Sequence, residues 1–441
     1  RRRHTRYIGD WSSDVCSSDL RTIIYYRIMA NTFKFGNDNW AVKDGQALAY
    51  NDENNNFKPL PFNFTRASIA TRVNRQGLVE VVPSGKPRID FLDNTKGHLL
   101  LEPSRTNNSQ YSEDFSNSVW TRTNSTVSTN QTVAPDGTVT ADRLIESTAT
   151  GSHDIRQNES GLSLGTQYTY SVFIKAYESG SYRNVVFFVG GPSSSGTFSF
   201  STGTFISHSF DSAKAVNYGN GWYRLEITDT TVSTSFNTII ITQNGTTTNY
   251  TGDGSSGFYL WGSQFEQGSF ATSYIPNLSS GSTTRSADLC NGAENSTVFN
   301  DSQGAIIIEL QALKEGSSAS RRITLSARNT NNRILLETDE SAGVFKFFIA
   351  GGGTVRTIKI SYDHTQTDVN KIAINYNGTN AQAYVNGQQV GSITNATTRT
   401  GIDTFDFADW NGTSNVYYGK IRSVKVYDAA LTDTELQNLT S

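Results

Sequence analysis

Glu337 and Asp339 are the carboxylates whose spacing comes closest to a catalytic pattern. In "LETDESAG" they begin E-x-D-x-x-E, in which alternate strand positions project from one face and paired carboxylates can act as nucleophile and acid/base on a glycosidic bond. The third position of that pattern is Ala342, where the catalytic acid would stand. We therefore interpret the stretch as a solvated charged turn after "RILL" and predict that the protein is not an enzyme.

A better candidate for chemistry is the polar loop "FADWNGTSNVYY", residues 407–418. It places Trp410 between Asp409 and Asn411, with Tyr417 following. An aromatic ring can stack on the C–H face of a sugar while neighbouring polar groups fix the hydroxyls, and an apolar plate with a few placed polar groups is typical of small-molecule sites. These four residues are predicted to bind carbohydrate. The alternative is that Trp410 folds back over the edge of the fold.

A second candidate carbohydrate site is "QYSEDFSNSVW", residues 110–120. Tyr111 and Trp120 supply the aromatic groups, and the stretch is otherwise polar. The alternative here is also plain packing of the two aromatic side chains.

Other motifs in the chain do not indicate a cofactor. "GDGSSG", residues 252–257, matches G-x-G-x-x-G, but it precedes a predicted strand rather than opening a helix, so we interpret it as a loop. No G-x-S-x-G motif occurs, and His98, His153, His208 and His364 have no metal-ligand spacing.

The composition indicates an all-β protein. Only 17% of the 441 residues are charged, and Ser, Thr, Asn and Gly supply turns between stretches rich in Tyr, Phe, Ile, Val and Thr. A net charge of −3 gives no electrostatic reason to expect nucleic-acid binding. No run of 18 or more apolar residues exists, so no membrane insertion is predicted.

The first 28 residues do not resemble a folded segment. "DWSSDVCSSDL", residues 10–20, resembles a translated sequencing adapter, and Met29 is the only methionine. We expect residues 1–28 to be a non-native or disordered leader and exclude them from the fold prediction. Cys290 is then the one remaining cysteine, so no intrachain disulfide is expected. The sequence after Met29 has no apolar signal region, which predicts synthesis in a host cytoplasm without a signal peptide.

Turn residues divide the rest of the chain into four segments. A β-rich N-terminal module is predicted over residues 29–100, and a sandwich over residues 101–276. The polar stretch "NLSSGSTTRSADLCNG", residues 277–292, is predicted to be a linker, and residues 293–441 to be a second sandwich.

Local signals fix several elements within these segments. Asn377-Gly378 and Asn386-Gly387 predict two type I′ hairpins, and Thr432 with Glu435 predicts a capping box on one terminal helix. Trp222 and Trp261 lie within regular strand patterns, so we expect both to be packed rather than to form a binding platform.

Two resemblances cover nearly all of the chain after Met29. Residues 293–441 resemble laminin-G-like, concanavalin-type lectin domains through "KIAINYNGTNAQAYVNGQQVGS" and "YYGKIRSVKVYDAALTDTELQNL". The middle segment is similar to jelly-roll carbohydrate-binding modules of phage fibre and tail proteins, through "LLLEPSRTNNSQYSEDFSNSVWTRTNSTV", "GNGWYRLEIT" and "GFYLWGSQFEQGSFATSYIP". "FTRASIATRVNRQGLVEVV" looks like a module that precedes such jelly rolls.

These resemblances imply a virion protein that binds cell-surface polysaccharide for adsorption, contacts other virion proteins and forms a homotrimer. Some laminin-G domains hold a structural calcium ion, which the resemblance would assign to Asp339, Asp363, Asp406 and Asp409. Two other functions stay open. One is a virion structural or decoration protein with no glycan ligand, and the other is a polysaccharide depolymerase.

Overall fold

The protein is built from short antiparallel strands, and the computed structural model describes most of the chain. The leader predicted over residues 1–28 and the candidate calcium ligand Asp363 lie outside the described residues. The described ranges are 32–36, 41–43, 46–51, 56–59, 62–177, 183–189, 194–243, 247–294, 296, 298–313, 320–339, 344–359 and 368–441.

The N-terminal strands are short and come before the first sandwich. They are β1 (Thr32–Gly36), β2 (Ala41–Lys43), β3 (Gln46–Asn51), β4 (Asn56–Pro59), β5 (Asn63–Thr65), β6 (Ala70–Val73), β7 (Val79–Val82), β8 (Arg88–Asp90) and β9 (His98–Leu101).

The next strands form a β-sandwich that we call the middle sandwich. Its sheets run β12-β13-β24-β16-β21-β20 and β11-β15-β22-β17-β18-β19, and their inner faces share one core that includes Leu144, Ile155, Val172 and Phe258. The strands of this part of the chain are β10 (Arg105–Asn107), β11 (Thr121–Thr123), β12 (Ser125–Thr132), β13 (Ala141–Glu146), β14 (Thr150–Gly151), β15 (Asp154–Ser160), β16 (Gln167–Ala176), β17 (Asn184–Phe188), β18 (Ser195–Ser199), β19 (Thr204–His208), β20 (Ser212–Gly219), β21 (Trp222–Thr230), β22 (Ser235–Gln243), β23 (Tyr250–Thr251) and β24 (Gly257–Gln267).

The remaining strands build most of a second sandwich, the terminal sandwich. One sheet runs β2-β3-β1-β37-β28-β33-β34-β35, the other runs β27-β36-β29-β30-β31-β32, and both bury side chains in one core. The elements are β25 (Thr283–Arg285), β26 (Leu289–Asn291), β27 (Ala293–Glu294), β28 (Gln303–Ala312), β29 (Ser320–Ser326), β30 (Arg333–Asp339), β31 (Val344–Gly351), β32 (Thr354–Lys359), β33 (Asn370–Asn377), β34 (Asn380–Val385), β35 (Gln388–Ile393), β36 (Thr404–Asp406), β37 (Gly419–Tyr427) and helix α1 (Asp433–Thr440). In the described ranges, no helix is both long enough and apolar enough to span a bilayer.

Strands β1 to β4, β8 and β9 belong to one sheet of the terminal sandwich, while β5 pairs with β26 and β6 with β7, so the prediction of a separate module over residues 29–100 is wrong. Strand β37 pairs with β28 along one edge, and along the other edge it pairs with β1 and β9. Leu99 and Leu101 on β9 are buried in the same core as Ile306 and Phe347. The period-two pattern of a strand indicates which face is buried but not which strand lies beside it.

The linker predicted over residues 277–292 is also wrong. Strand β25 pairs with β10, and β26 pairs with β5, so both strands in this stretch lie against earlier parts of the chain. Cys290 is buried in the core of the terminal sandwich. Three of the polar residues that suggested a linker, Asn277, Arg285 and Asp288, are buried and bind other buried groups.

Five charged side chains are buried together between the N-terminal strands and the segment after the middle sandwich. They are Arg66, Arg88, Glu102, Arg285 and Asp288, each at most 4% exposed, and we call them the buried ion cluster. Arg88 Nη1 donates to Glu102 Oε2 at 2.7 Å, and its Nη2 donates to Asp288. Arg66 Nη1 donates to Asp288 Oδ1 at 3.0 Å. Arg285 Nη1 donates to Glu102 Oε2 at 2.5 Å.

Backbone and hydroxyl groups complete the buried ion cluster. The amide and hydroxyl of Ser273 each donate to a Glu102 carboxylate oxygen at 2.7 Å, and the amide of Glu102 donates to Asp288 Oδ2 at 2.9 Å. Burial by itself would raise the pKa of Glu102, but Arg285, Arg88 and the Ser273 hydrogen bonds hold that pKa well below its usual range. The carboxylate is therefore charged at neutral pH and fixed by partners from separate segments.

Trp222 and Trp261 are buried as predicted, at 2% and 1% exposure. They do not lie in the interior of the middle sandwich, because they pack on the opposite face of its sheet, against Phe173, Val79 and Tyr274. The chain around Val79 therefore covers the face of the sheet on which both indoles lie.

The local signals had mixed outcomes. Asn386 and Gly387 both have positive φ and form the predicted turn between β34 and β35. In the preceding hairpin Asn377 pairs with Asn380, so the loop is Gly378-Thr379, and of that pair only Gly378 has positive φ. The capping box of Thr432 and Glu435 is confirmed.

Replacing Glu102 by Gln removes the charge that Arg88 and Arg285 share and leaves two buried guanidinium groups without it. We expect the free energy of unfolding to fall by about 3–5 kcal/mol, because breaking one side of a buried ion pair leaves uncompensated charge. Urea unfolding of wild type and Glu102→Gln measures this difference in unfolding free energy.

Glu80→Gln is the matched control for Glu102→Gln. Glu80 pairs with Arg72 at 3.2 Å on the surface, so its loss should cost less than about 1 kcal/mol. Equal costs for Glu102→Gln and Glu80→Gln would contradict the role given to the buried ion cluster.

Candidate functional site

The loop that carries Trp410 is closed at its base and tied to the sheet below it. The Tyr417 amide donates to the Phe407 carbonyl at 2.9 Å where the loop begins and ends. The Thr324 hydroxyl donates to the Ala408 carbonyl at 2.7 Å, and the Asn291 side chain donates to the Gly412 carbonyl. Residues 408–416 therefore lie over the outer face of β29 in a fixed path, and we call them the Trp410 loop.

Asp409 connects the Trp410 loop to two arginines of the sheet. Arg322 Nη1 donates to Asp409 Oδ2 at 2.5 Å, and Arg333 Nη1 donates to Asp409 Oδ1 at 2.9 Å. The Trp410 amide also donates to Asp409 Oδ1, at 2.8 Å. Asp409 is only 5% exposed. With both oxygens engaged it positions the loop, and the prediction that it contacts sugar hydroxyls directly is wrong.

Trp410 itself is half-buried at the surface of the loop. Its indole Nε1 makes no hydrogen bond to any side chain or carbonyl in the described residues. Asn411 beside it is exposed, and its Oδ1 accepts hydrogen bonds from Thr413 and Ser414 that close the tight turn. This arrangement presents a half-buried aromatic side chain and an unused donor on a turn whose backbone is fixed.

A row of charged side chains lies beside the Trp410 loop. Glu337 on β30 is opposite Arg322 on β29 and Lys346 on β31. Arg322 Nε donates to Glu337 Oε2 at 2.8 Å, and Lys346 Nζ lies 3.6 Å from Glu337 Oε1. Glu337 is 3% exposed and paired on both sides, so it is not a charged turn residue in solvent as predicted. Arg322, Arg333 and Lys346 were missed by sequence reasoning, although each lies on the polar face of a period-two strand.

Two other predicted residues, Tyr417 and Trp120, do not fit a surface site. Tyr417 is fully buried in the core of the terminal sandwich, and Trp120 is 1% exposed and packed on Phe115 at 4.8 Å between ring centroids. The indole of Trp120 donates to the Tyr111 carbonyl at 3.3 Å. The predictions that Tyr417 and Trp120 contact sugar are wrong, because a buried ring has no free face. Tyr111 is half-buried, and its contact with sugar stays a prediction.

Two of the carboxylates suggested as calcium ligands, Asp406 and Asp409, have other partners. Asp406 accepts from the Gly292 amide at 2.7 Å and lies 3.3 Å from Arg328 Nη1, while Asp409 holds two arginines. In the part of the chain that the structure describes, no group of three or more His, Cys, Asp or Glu side chains could hold a metal ion.

A family model matches part of the terminal sandwich. Residues 312–437 match the concanavalin A-like lectin/glucanases superfamily. This range contains the Trp410 loop and strands β29 to β32 of the sheet beneath it. The predicted lectin-like β-sandwich is confirmed for this part of the chain. No curated protein matches the sequence.

Solved structures with a similar fold include carbohydrate-binding domains. A CBM40 domain of the Ruminococcus gnavus IT-sialidase, bound to alpha2,3 sialyllactose, is 18% identical, with a TM-score of 0.29 over 34% of this chain and 94% of that one. Domain 4 of a Geobacillus stearothermophilus GH43 arabinanase, in complex with arabinotriose, is 15% identical, with a TM-score of 0.30 over 35% of this chain and 73% of that one. These values are too low to indicate what this chain binds.

The buried carboxyl of Asp406 predicts a pH dependence of stability. Burial raises its pKa to about 6 from 3.8, against the opposing effect of Arg328. Between those values the folded protein binds a proton that the unfolded chain has lost, so this group makes stability fall as pH rises from about 4 to about 6. Relative to wild type, Asp406→Asn should therefore gain up to about 3 kcal/mol of unfolding free energy across that range.

Urea unfolding at a series of pH values measures the Asp406→Asn difference, with Asp211→Asn as control. Hydrogen bonds from Thr230 and Gln167 lower the pKa of the exposed Asp211, so its stabilising effect is lost as pH falls, and the difference for its variant should run the other way. A flat difference for Asp406→Asn would contradict the raised pKa.

Proposed function

We propose that this chain is a non-enzymatic glycan-binding protein of a phage particle, which attaches the particle to polysaccharide on its host. The observation that carries the proposal is the half-buried Trp410, held on a closed loop by Asp409 and its two arginines. A fixed aromatic surface loses little conformational freedom when a sugar stacks on it, so the arrangement favours binding.

The surroundings of Trp410 suit a polyhydroxylated ligand. Arg322, Arg333 and Lys346 keep part of their side chains exposed, at 22%, 14% and 23%, and can donate to hydroxyl or carboxylate groups. The lectin-family match over residues 312–437 supports the same function for the same sandwich. The phage assignment rests on the sequence resemblances, and many copies on one particle would multiply weak individual contacts.

Hydrolysis is a weaker candidate because the available carboxylates are committed. Glu337 has an arginine on one side and a lysine on the other, and Asp409 is held by two arginines. A glycosidase needs one carboxylate free to attack or to activate water and a second that carries a proton. Incubation with polysaccharide should therefore release no reducing ends.

Affinity electrophoresis through bacterial surface polysaccharides tests the proposal. We expect one polysaccharide to retard the wild-type protein and Trp410→Ala to weaken that retardation at least about tenfold, since central aromatic residues dominate binding energies. Trp410→Phe, which keeps a ring, should retain part of it.

Val232→Ala is the matched control, because Val232 is 74% exposed on the middle sandwich. It should migrate as the wild type does. A site at Trp410 would be contradicted if Trp410→Ala and Val232→Ala both lost retardation, or if both were retarded as strongly as wild type. Absence of retardation by every polysaccharide would favour a structural protein of the particle.

A further inference from the structure

A polar cavity of about 790 Å³ opens at one end of the middle sandwich, away from the Trp410 loop. Its walls come from β15, from the segment that begins at β10 and from the end of β24. The polar side chains that matter are Arg105, Asn108, Gln110, Asn158, Glu159 and Gln267. This volume is in the range of small-molecule sites.

Glu159 is the unusual group in this cavity. It follows Ile155 and Gln157 on the inward face of β15, while its neighbours Asn158 and Ser160 are exposed. Glu159 is 7% exposed, yet its carboxyl makes no hydrogen bond or ion pair with any side chain or backbone group in the described residues. Burial raises its pKa to about 7. A mostly buried carboxyl that faces an open cavity, with no partner from the described residues, is free to accept hydrogen bonds from a ligand there.

The groups around Glu159 indicate what that partner is. Within the described residues, the side-chain amides of Asn108, Gln110, Asn158 and Gln267 make no hydrogen bonds, so each offers both donors and an acceptor. The backbone of the wall that contains Gln110 is fixed. The Gln110 backbone N–H donates to Gln157 Oε1 at 2.8 Å, and the Gln110 backbone carbonyl accepts from Gln157 Nε2 at 3.0 Å.

The charge of the cavity is nearly balanced. Arg105 brings one positive charge to the same lining as Glu159, and its guanidinium lies over the Phe270 ring at 5.4 Å, with Nε 3.9 Å from Glu266 Oε2. This lining is a poor cation site, because Glu159 is its one acidic group and Arg105 adds a positive charge to the same walls. The same set suits a ligand with many hydroxyls, in which a pair of hydroxyl groups donates to the carboxylate and the amides satisfy the rest.

We propose that this cavity is a second carbohydrate site, which binds a neutral saccharide through hydroxyl donation to Glu159. The inference rests on the proposed function and extends it, because it gives each sandwich its own sugar-binding surface. The two sites share no residue, so each can be removed without the other.

Isothermal titration calorimetry on the full chain tests the second site. The probes are the methyl glycosides of galactose, glucose, mannose and rhamnose, each titrated at about pH 8 and about pH 6. We expect at least one glycoside to bind and Glu159→Gln to weaken it by at least about tenfold at the higher pH. Wild-type affinity should fall roughly tenfold at the lower pH, as Glu159 becomes protonated, and the variant should show no such fall.

The pH readout is specific to Glu159. The charged or titratable groups that face it are Arg105, Tyr168 and Tyr170, and burial raises the pKa of Tyr170 further from neutrality. Arginine and tyrosine side chains do not ordinarily titrate between pH 6 and 8. A purely structural role for Glu159 would change stability but give no pH-dependent affinity.

Trp410→Ala is the control that separates this inference from the proposed function. It should bind the glycoside as tightly as wild type while losing retardation by polysaccharide. Failure of all four glycosides to bind wild type, or equal binding by Glu159→Gln, would overturn the second site and leave the Trp410 site standing. Binding of calcium chloride alone that depends on Glu159 would overturn it in favour of a cation site.

Discussion

The buried ion cluster is the interaction on which the rest of the structure depends. Arg66, Arg88 and Arg285 face Glu102 and Asp288 away from water, and they come from segments before and after the middle sandwich whose strands also pair with one another. Burying charges is expensive, and a well-packed apolar cluster could be as stable. What the charges add is specificity, because each guanidinium must find its carboxylate before the penalty of burial is offset.

The buried ion cluster lies where the middle sandwich begins and ends within the chain. The terminal sandwich takes strands from both ends of the sequence, with β1 and β9 lying along one edge of β37 and β28 along the other. The middle sandwich lies between β9 and β26 in sequence, and its two ends return to the buried ion cluster through Glu102 and Asp288. A strand edge on β37 that would otherwise be open is paired, which removes a surface prone to aggregation.

The sequence predicted the kinds of element better than their partners. Alternating apolar residues and Asn386-Gly387 specify strands and a turn locally, and those predictions hold. The pairing of β1 and β9 with the last strand could not be predicted, because the side-chain period is the same for every neighbour. Trp120 and Tyr417 failed as site residues for a related reason, since an aromatic residue in a polar stretch looks the same whether its ring is exposed or folded inward. Glu159 could not be recognised from the sequence, because what distinguishes it is a buried position beside a cavity without a hydrogen-bond partner among the described residues.

The two proposed sugar sites need a rigid frame, and N-terminal strands β1 and β9 supply part of it. Hydrogen–deuterium exchange of the full chain tests this most directly. If β9 is an integral strand of the terminal sandwich, amides in His98–Leu101 should exchange as slowly as those in Gly419–Tyr427, because the two strands share a ladder. Fast exchange in His98–Leu101 beside a protected Gly419–Tyr427 would show that the N-terminal segment is a separate module and would contradict the account.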